Sequence, residues 1–331
     1  MTSAGAETAD RMAAAFASIA DGTGTAADVR ASLKASRKPA ESVEVAGVTN
    51  RRIDGPEGLQ SIPVRVYHPL GAAEGALTAE PSNKALTAEP SDKALPVLVY
   101  FHGGGFVLCD LDSHDSCCRR LANGAGAIVV SVDYRLAPES PFPAAVDDAW
   151  AAVQWVSQHA VDLGGDPQRL VVAGDSAGGN LAAVVSMMAR DQGGPAIAFQ
   201  LLIYPVVDQR RKASATSEYS RSGSALSGDH MRWFTQQYLG AEGDRTDVLA
   251  SPILGDFTGL PPAHIVTGEK DPLRAEEELY AELLRGAGVP VTITNYDNMF
   301  HGFFNLADQL PIARQATDDV CEILNGVLKC N

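Results

Sequence analysis

The chain has 331 residues, 45% hydrophobic and 20% charged, so it can bury a large core and has the composition of an ordinary folded protein. Its formal net charge is −15, a balance that repels nucleic acid and anionic membranes and excludes both as expected partners. No run approaches the ~18 apolar residues that cross a bilayer, and residues 1–30 lack the apolar segment of a secretory signal, so a cytoplasmic setting is expected.

In chain order, Met12, Phe16 and Ile19 fall at i, i+4 and i+7 on an Ala-rich run, the apolar stripe of a docked helix or of half a lid. Strand-like runs follow at 42–48 and 62–67, the second alternating Ile62, Val64 and Val66. Residues 76–84 are then repeated as 85–93 with Asn83 replaced by Asp92. Two copies cannot build a solenoid, and Pro81 and Pro90 among polar neighbours read as a solvated loop extension without a catalytic role.

From residue 95 strand and helix alternate. Strand-like runs are 96–101, 127–133, 170–173, 199–204, 263–267 and 289–296; helix-like runs are 116–123, 144–159, 177–190, 275–286 and 306–328. Near-continuous apolar strands separated by helices predict an α/β fold, a mostly parallel eight-stranded sheet with helices on both faces. Residues 209–247 break the alternation, polar at first, then amphipathic through Met231, Phe234 and Tyr238 with Trp233 beside them. A helical cap is expected there, joined by the N-terminal helix. The implied division is 1–45 and 208–247 as cap, 46–207 and 248–331 as core.

Five cysteines (Cys109, Cys117, Cys118, Cys321 and Cys330) include an adjacent pair and show no C-x-x-C spacing. They read as reduced thiols, neither a disulfide framework nor a zinc site, and no cofactor or metal is expected. Cys109, close to a glycine-rich run, is the one to watch for thiol sensitivity.

The chemistry sits at strand ends, where open α/β sheets bind ligands. Gly174-Asp175-Ser176-Ala177-Gly178 joins a strand to a helix, the setting of a serine on a strained turn with its hydroxyl above the sheet. A serine hydroxyl needs a base, and His301, just past a strand and followed by Gly302, is the best of seven histidines. His68, His114, His159 and His230 lie in loops or helices without such a setting, and His264 falls inside a strand. Asp271, before Pro272, would orient His301; Glu269 is its rival. His102-Gly103-Gly104-Gly105 is the expected oxyanion loop, Gly103, Gly104, Gly105 and Ala177 forming the hole, with the amides of Gly104, Gly105 and Ala177 as its donors. His102 reads as structural and residues 133–139 as a turn buttressing the glycine loop. Asp175 is expected to bond backbone groups of the elbow. Asp147 and Asp148 are expected near a helix start, not as metal ligands.

The order of glycine loop, Ser, Asp and His is that of an α/β-hydrolase triad. His102–Gly105, Gly174–Asn180, Asp271-Pro272-Leu273 and His301-Gly302-Phe303 resemble the bacterial hormone-sensitive-lipase family of α/β-hydrolases, in its Gly-Asp-Ser-Ala-Gly branch, from about residue 95 to 304. The resemblance implies an α/β-hydrolase fold, a cofactor-free carboxylesterase with Ser176, Asp271 and His301 as triad, a two-part cap and short to medium acyl chains in a small-molecule ester. It also raises a homodimer. Ala275 departs from the family, whose members often carry an acidic residue there. Alternatives are an amidase or peptidase using the same triad, and a non-catalytic small-molecule binder on this scaffold. Phe16, Trp233 and Phe234 are the candidates for lining the acyl pocket.

Overall fold

A computed structural model describes residues 24–37, 43–56, 61–72, 93–210 and 225–329. The Met12, Phe16 and Ile19 stripe, nearly all of the nonapeptide repeat, residues 211–224 and Cys330 lie outside the described residues.

Eight strands form one sheet: β1 (Gly47–Ile53), β2 (Ile62–His68), β3 (Leu95–Phe101), β4 (Ile128–Val132), β5 (Gly165–Asp175), β6 (Phe199–Ile203), β7 (Ala263–Gly268) and β8 (Val291–Tyr296). Their order is β1-β2-β4-β3-β5-β6-β7-β8. β2 runs antiparallel to β1 and β4, and every other neighbouring pair is parallel. Parallel neighbours need a crossover, which is why helices separate β3 to β8 in the sequence.

Among the described residues seven α-helices accompany the sheet: α1 (Ala26–Ser36), α2 (Asp115–Ala125), α3 (Ala144–His159), α4 (Ala177–Asp191), α5 (Gly228–Leu239), α6 (Arg274–Gly286) and α7 (Pro311–Lys329). The pleat sorts the core between two faces. On β3, Val97, Val99 and Phe101 join the buried cluster that holds α3, α4 and α6; Leu98 and Tyr100 join the one that holds α2 and α7. Both faces are covered, so the central strands are apolar throughout rather than alternating.

Two expected elements move. The first strand is Gly47–Ile53 instead of 42–48. Its alternate residues are exposed, as an edge strand permits, and Asn50, Arg51 and Arg52 hide the strand signal. Upstream, the carbonyls of Val43 and Glu44 are bonded by Arg119 and Asn123 of α2 instead of a neighbouring strand. The expected helix 306–328 divides into a short 3-10 turn, Phe303–Leu306, and α7, which starts at Pro311 where proline's missing N–H is harmless.

Candidate active site

β5 runs into α4 through one residue. Ser176 has φ 55 and ψ −115, a backbone that a non-glycine residue holds only under tertiary constraint. Here the constraint is visible: its amide donates to the Ile203 carbonyl at 2.8 Å, and its carbonyl accepts from Asn180 at 3.0 Å and Val206 at 3.1 Å. Gly178 permits the close passage, because a Cβ on it would run into the Phe101 carbonyl of β3. The hydroxyl is left facing the loop after β8.

That loop delivers His301. Gly302, at φ 89, turns the chain directly after the imidazole. His301 Nε2 stands 2.8 Å from Ser176 Oγ, and its Nδ1 stands 2.7 Å from Asp271 Oδ2. The tautomer follows from chemistry: a carboxylate only accepts, so Nδ1 carries the proton and Nε2 is left as the acceptor for the serine hydroxyl. Asp271 is fixed by the turn after β7, its other oxygen accepting the Leu273 amide at 2.8 Å. It is 2% exposed and His301 8%, so this hydrogen-bonded chain is largely shielded from water. Glu269, the rival carboxylate, instead accepts the Asn298 amide at 2.6 Å.

The glycine loop lies beside Ser176, and one member of the expected hole drops out as a donor while the three expected donors stay free. The Gly103 amide donates to Asp175 Oδ1 at 2.9 Å, so it is spent and cannot serve an oxyanion. Among the described residues no acceptor takes the amides of Gly104, Gly105 or Ala177. Ala177 is the first residue of α4, whose N-terminal dipole favours negative charge. Asp175 likewise corrects expectation: its carboxylate faces away from the elbow backbone. It accepts the Tyr100 hydroxyl at 2.9 Å and the Asn305 side-chain amide at 2.8 Å, and it pairs with His114 Nε2 at 3.1 Å. Burial alone would raise its pKa, but His114 and the Tyr100 hydroxyl outweigh it and hold the carboxyl below the usual range.

Chemically, a hydrogen-bonded triplet of this kind beside three unspent amides can support acyl transfer. A family model described as the alpha/beta hydrolase fold matches residues 98–305, more than half of the chain. The chain belongs to the alpha/beta hydrolase fold family. It is 43% identical over 303 residues to the carboxylesterase NlhH of Mycobacterium tuberculosis, covering 89% of this chain and 88% of that protein. It is 39% identical over 229 residues to an ethyl acetate hydrolase of Pseudomonas putida, covering 69% of this chain and 72% of that one. Among solved structures, an ester-hydrolase from the metagenome of Lake Arreo, complexed with a bipyridine phosphonate derivative, superposes with a TM-score of 0.85 at 40% identity, covering 98% of both chains.

Other residues of this hydrolase sort cleanly. His102 is buried, donates from Nδ1 to the Gly103 carbonyl at 2.8 Å and stacks on Tyr134 with ring centroids 4.4 Å apart. Burial first, and His114 second, push it down to about 4, so it is a neutral strut. The 133–139 turn buttresses the loop as expected, with the Tyr134 hydroxyl donating to the His102 carbonyl at 2.7 Å and the Ala137 amide to the Phe106 carbonyl at 2.9 Å. Asp147 lies in the first turn of α3, while Asp148 holds the Arg135 guanidinium at 2.7 Å. Burial pushes the Cys109 thiol up to about 12, against the expected sensitivity, because only a thiolate reacts readily.

Trp233 and Phe234 lie on α5, and a Cβ on Gly105 would strike the Phe234 ring. Phe106, next in the loop, stacks on Tyr238 of the same helix at 3.7 Å between centroids. α1 grips the loop's other flank: Arg30 donates to the carbonyls of Val107 at 2.6 Å and Ala137 at 2.7 Å, and pairs with Glu139 at 2.8 Å. Three partners were missed from sequence: Tyr100, His114 and Asn305 around Asp175. A histidine far from any recognisable motif carries no local signal of such a role. A fourth is Glu277, whose carboxyl clusters with Asp271 and His301, ligand-type atoms all within 4.8 Å. A cation there would have to displace the 2.7 Å bond between Asp271 and His301. Among the described residues no helix is long and apolar enough to cross a membrane.

Proposed function

We propose that this chain is a serine carboxylesterase that hydrolyses short- to medium-chain acyl esters of small molecules. Ser176 is the nucleophile, His301 the general base and Asp271 the group that orients it. The observation that carries the reading is the unbroken line of hydrogen bonds from Asp271 through His301 to Ser176, 2.7 and 2.8 Å long. His301 Nε2 takes the hydroxyl proton as Ser176 Oγ attacks the ester carbonyl. The oxygen that becomes negative is received by the amides of Gly104, Gly105 and Ala177, each worth about 3 kcal/mol of transition-state stabilisation. His301 then protonates the departing alcohol, and a water activated by the same imidazole releases the acid from Ser176.

We assign the described parts of 1–45 and 208–247, α1 and α5 among them, to a cap over this site, and the described parts of 46–207 and 248–331 to the core. The contacts of α1 and α5 with the glycine loop support that division, and Trp233 and Phe234 are the cap residues assigned to the acyl pocket. An ethyl acetate hydrolase among the relatives favours small acyl groups. The free, largely buried Cys109, Cys117, Cys118 and Cys321 fit a reducing, cytoplasmic setting.

A panel of p-nitrophenyl esters from acetate to palmitate, run beside a p-nitroanilide, tests the reading. Fastest turnover on the shorter esters is expected, with little or none on the anilide. Turnover of the anilide alone would make the chain an amidase. Binding without turnover of any would make it a non-catalytic binder, a reading that the engaged His301 disfavours.

A further inference from the structure

Glu277 lies on the first turn of α6, and its side chain points into the protein behind the triad. It is 0% exposed, and neither carboxyl oxygen meets a hydrogen-bond donor among the described residues. One oxygen lies within 4.8 Å of a carboxylate oxygen of Asp271 and a ring nitrogen of His301. The groups that act on it most are Asp271 from the turn after β7, the Thr267 hydroxyl on β7, and Glu276 and Glu278 of its own helix. None is a cation, and Thr267 stops short of hydrogen-bond geometry.

A carboxylate cannot be held this way. Ionised, it would be desolvated, unpaired and beside a second carboxylate, each of which disfavours the charge. Two adjacent carboxyl groups in one buried site share the problem by keeping one proton between them. Asp271 receives two donors, the His301 Nδ1 proton and the Leu273 amide, so the charge belongs there. Glu277 receives none, so the proton belongs on it.

We infer that Glu277 is a positioning residue for the triad, a neutral carboxylic acid behind Asp271 that keeps the pair at a single negative charge. The inference rests on the triad reading above. Burial first and the Asp271 charge second push the Glu277 carboxyl well above its ordinary range, in the same direction. Its consequence is for His301, the imidazole that faces the pair. A second negative charge would hold the imidazolium more tightly. A neutral acid dipole aimed at Asp271 does the reverse, drawing off part of the carboxylate's charge.

Two readouts test this, one of them independent of turnover. The infrared spectrum of the parent at neutral pH should contain a protonated-carboxyl carbonyl band that is absent from Glu277→Gln. Its absence from the parent would overturn the inference whether or not any ester is hydrolysed. The second readout is the acid limb of kcat/KM. Glu277→Leu should move that limb to higher pH by about half a unit or more, and Glu277→Gln, which keeps a neutral donor, should return it to the parent position. A limb displaced to lower pH in Glu277→Gln would mean that the parent carries a carboxylate. A limb unmoved in Glu277→Leu would mean that the side chain only fills space. Either overturns the inference; should the leucine variant fail to fold, the infrared comparison decides alone.

Discussion

Gly104 bears the tightest constraint in the glycine loop. Its φ of +110 is one that side-chain-bearing residues rarely hold, and a Cβ there would run into the Leu108 carbonyl. The loop closes on itself at this point, Leu108 donating its amide to the Gly104 carbonyl at 2.8 Å. Gly104→Ala should therefore shift the loop and misplace a donor, lowering kcat by ~10²–10³ as loss of one oxyanion donor does. Steady-state kinetics on a short ester check it; a kcat close to the parent's would remove Gly104 from the oxyanion hole. Ser176, His301 and Asp271 were readable because each sits in a local pattern at a strand end. That Gly104 and Gly105 offer the free amides was readable, but what takes up the Gly103 amide was not. That depends on where Asp175 turns, and Asp175 is directed by Tyr100, His114 and Asn305, none of which neighbours it in sequence.

At the level of elements, the parallel strands were legible because burial on both faces writes an apolar run with turns at its ends. The runs at 199–204 and 263–267 each came within one residue of β6 and β7. β1 was not legible, since an edge strand needs no apolar run and its pairing with β2 is set by register across the gap between them. The break before α7 was available in Pro311 but was overridden by a helical pattern that continues across it. The amphipathic stripe of Met231, Phe234 and Tyr238 did locate α5. What it could not reveal was the partner: Tyr238 stacks on Phe106, its hydroxyl meets no partner among the described residues, and its carbonyl accepts the Phe142 amide at 2.9 Å. Helix periodicity gives a face, and only the fold gives what that face covers.

Across the whole molecule, the same burial that shields the site makes stability depend on pH. His102 and His264 are both buried, and burial pushes each from 6.5 down to about 4. The unfolded chain takes up these protons below about pH 6.5, whereas the folded chain does not until about pH 4. Each histidine thus lowers stability as pH falls through that window, by about 1.4 kcal/mol per pH unit at the steepest. Asp175 acts lower still: its depressed pKa contributes stability above the ordinary carboxylate range that is lost as acid protonates it. Melting temperatures should decline steadily as pH falls through that window, and His264→Gln should flatten part of the decline. A constant melting temperature across it would contradict the neutral buried histidines.

In the proposed reaction one serine carries the acyl group. Mixing the protein with a p-nitrophenyl ester, quenching in acid during the first turnovers and mapping the peptides by mass locates that group. The acyl mass is expected on the peptide containing Ser176, and it should disappear in Ser176→Ala along with a fall in kcat of ~10⁶. An acyl group on any other residue, or a Ser176→Ala variant that hydrolyses the ester within about tenfold of the parent rate, would contradict it.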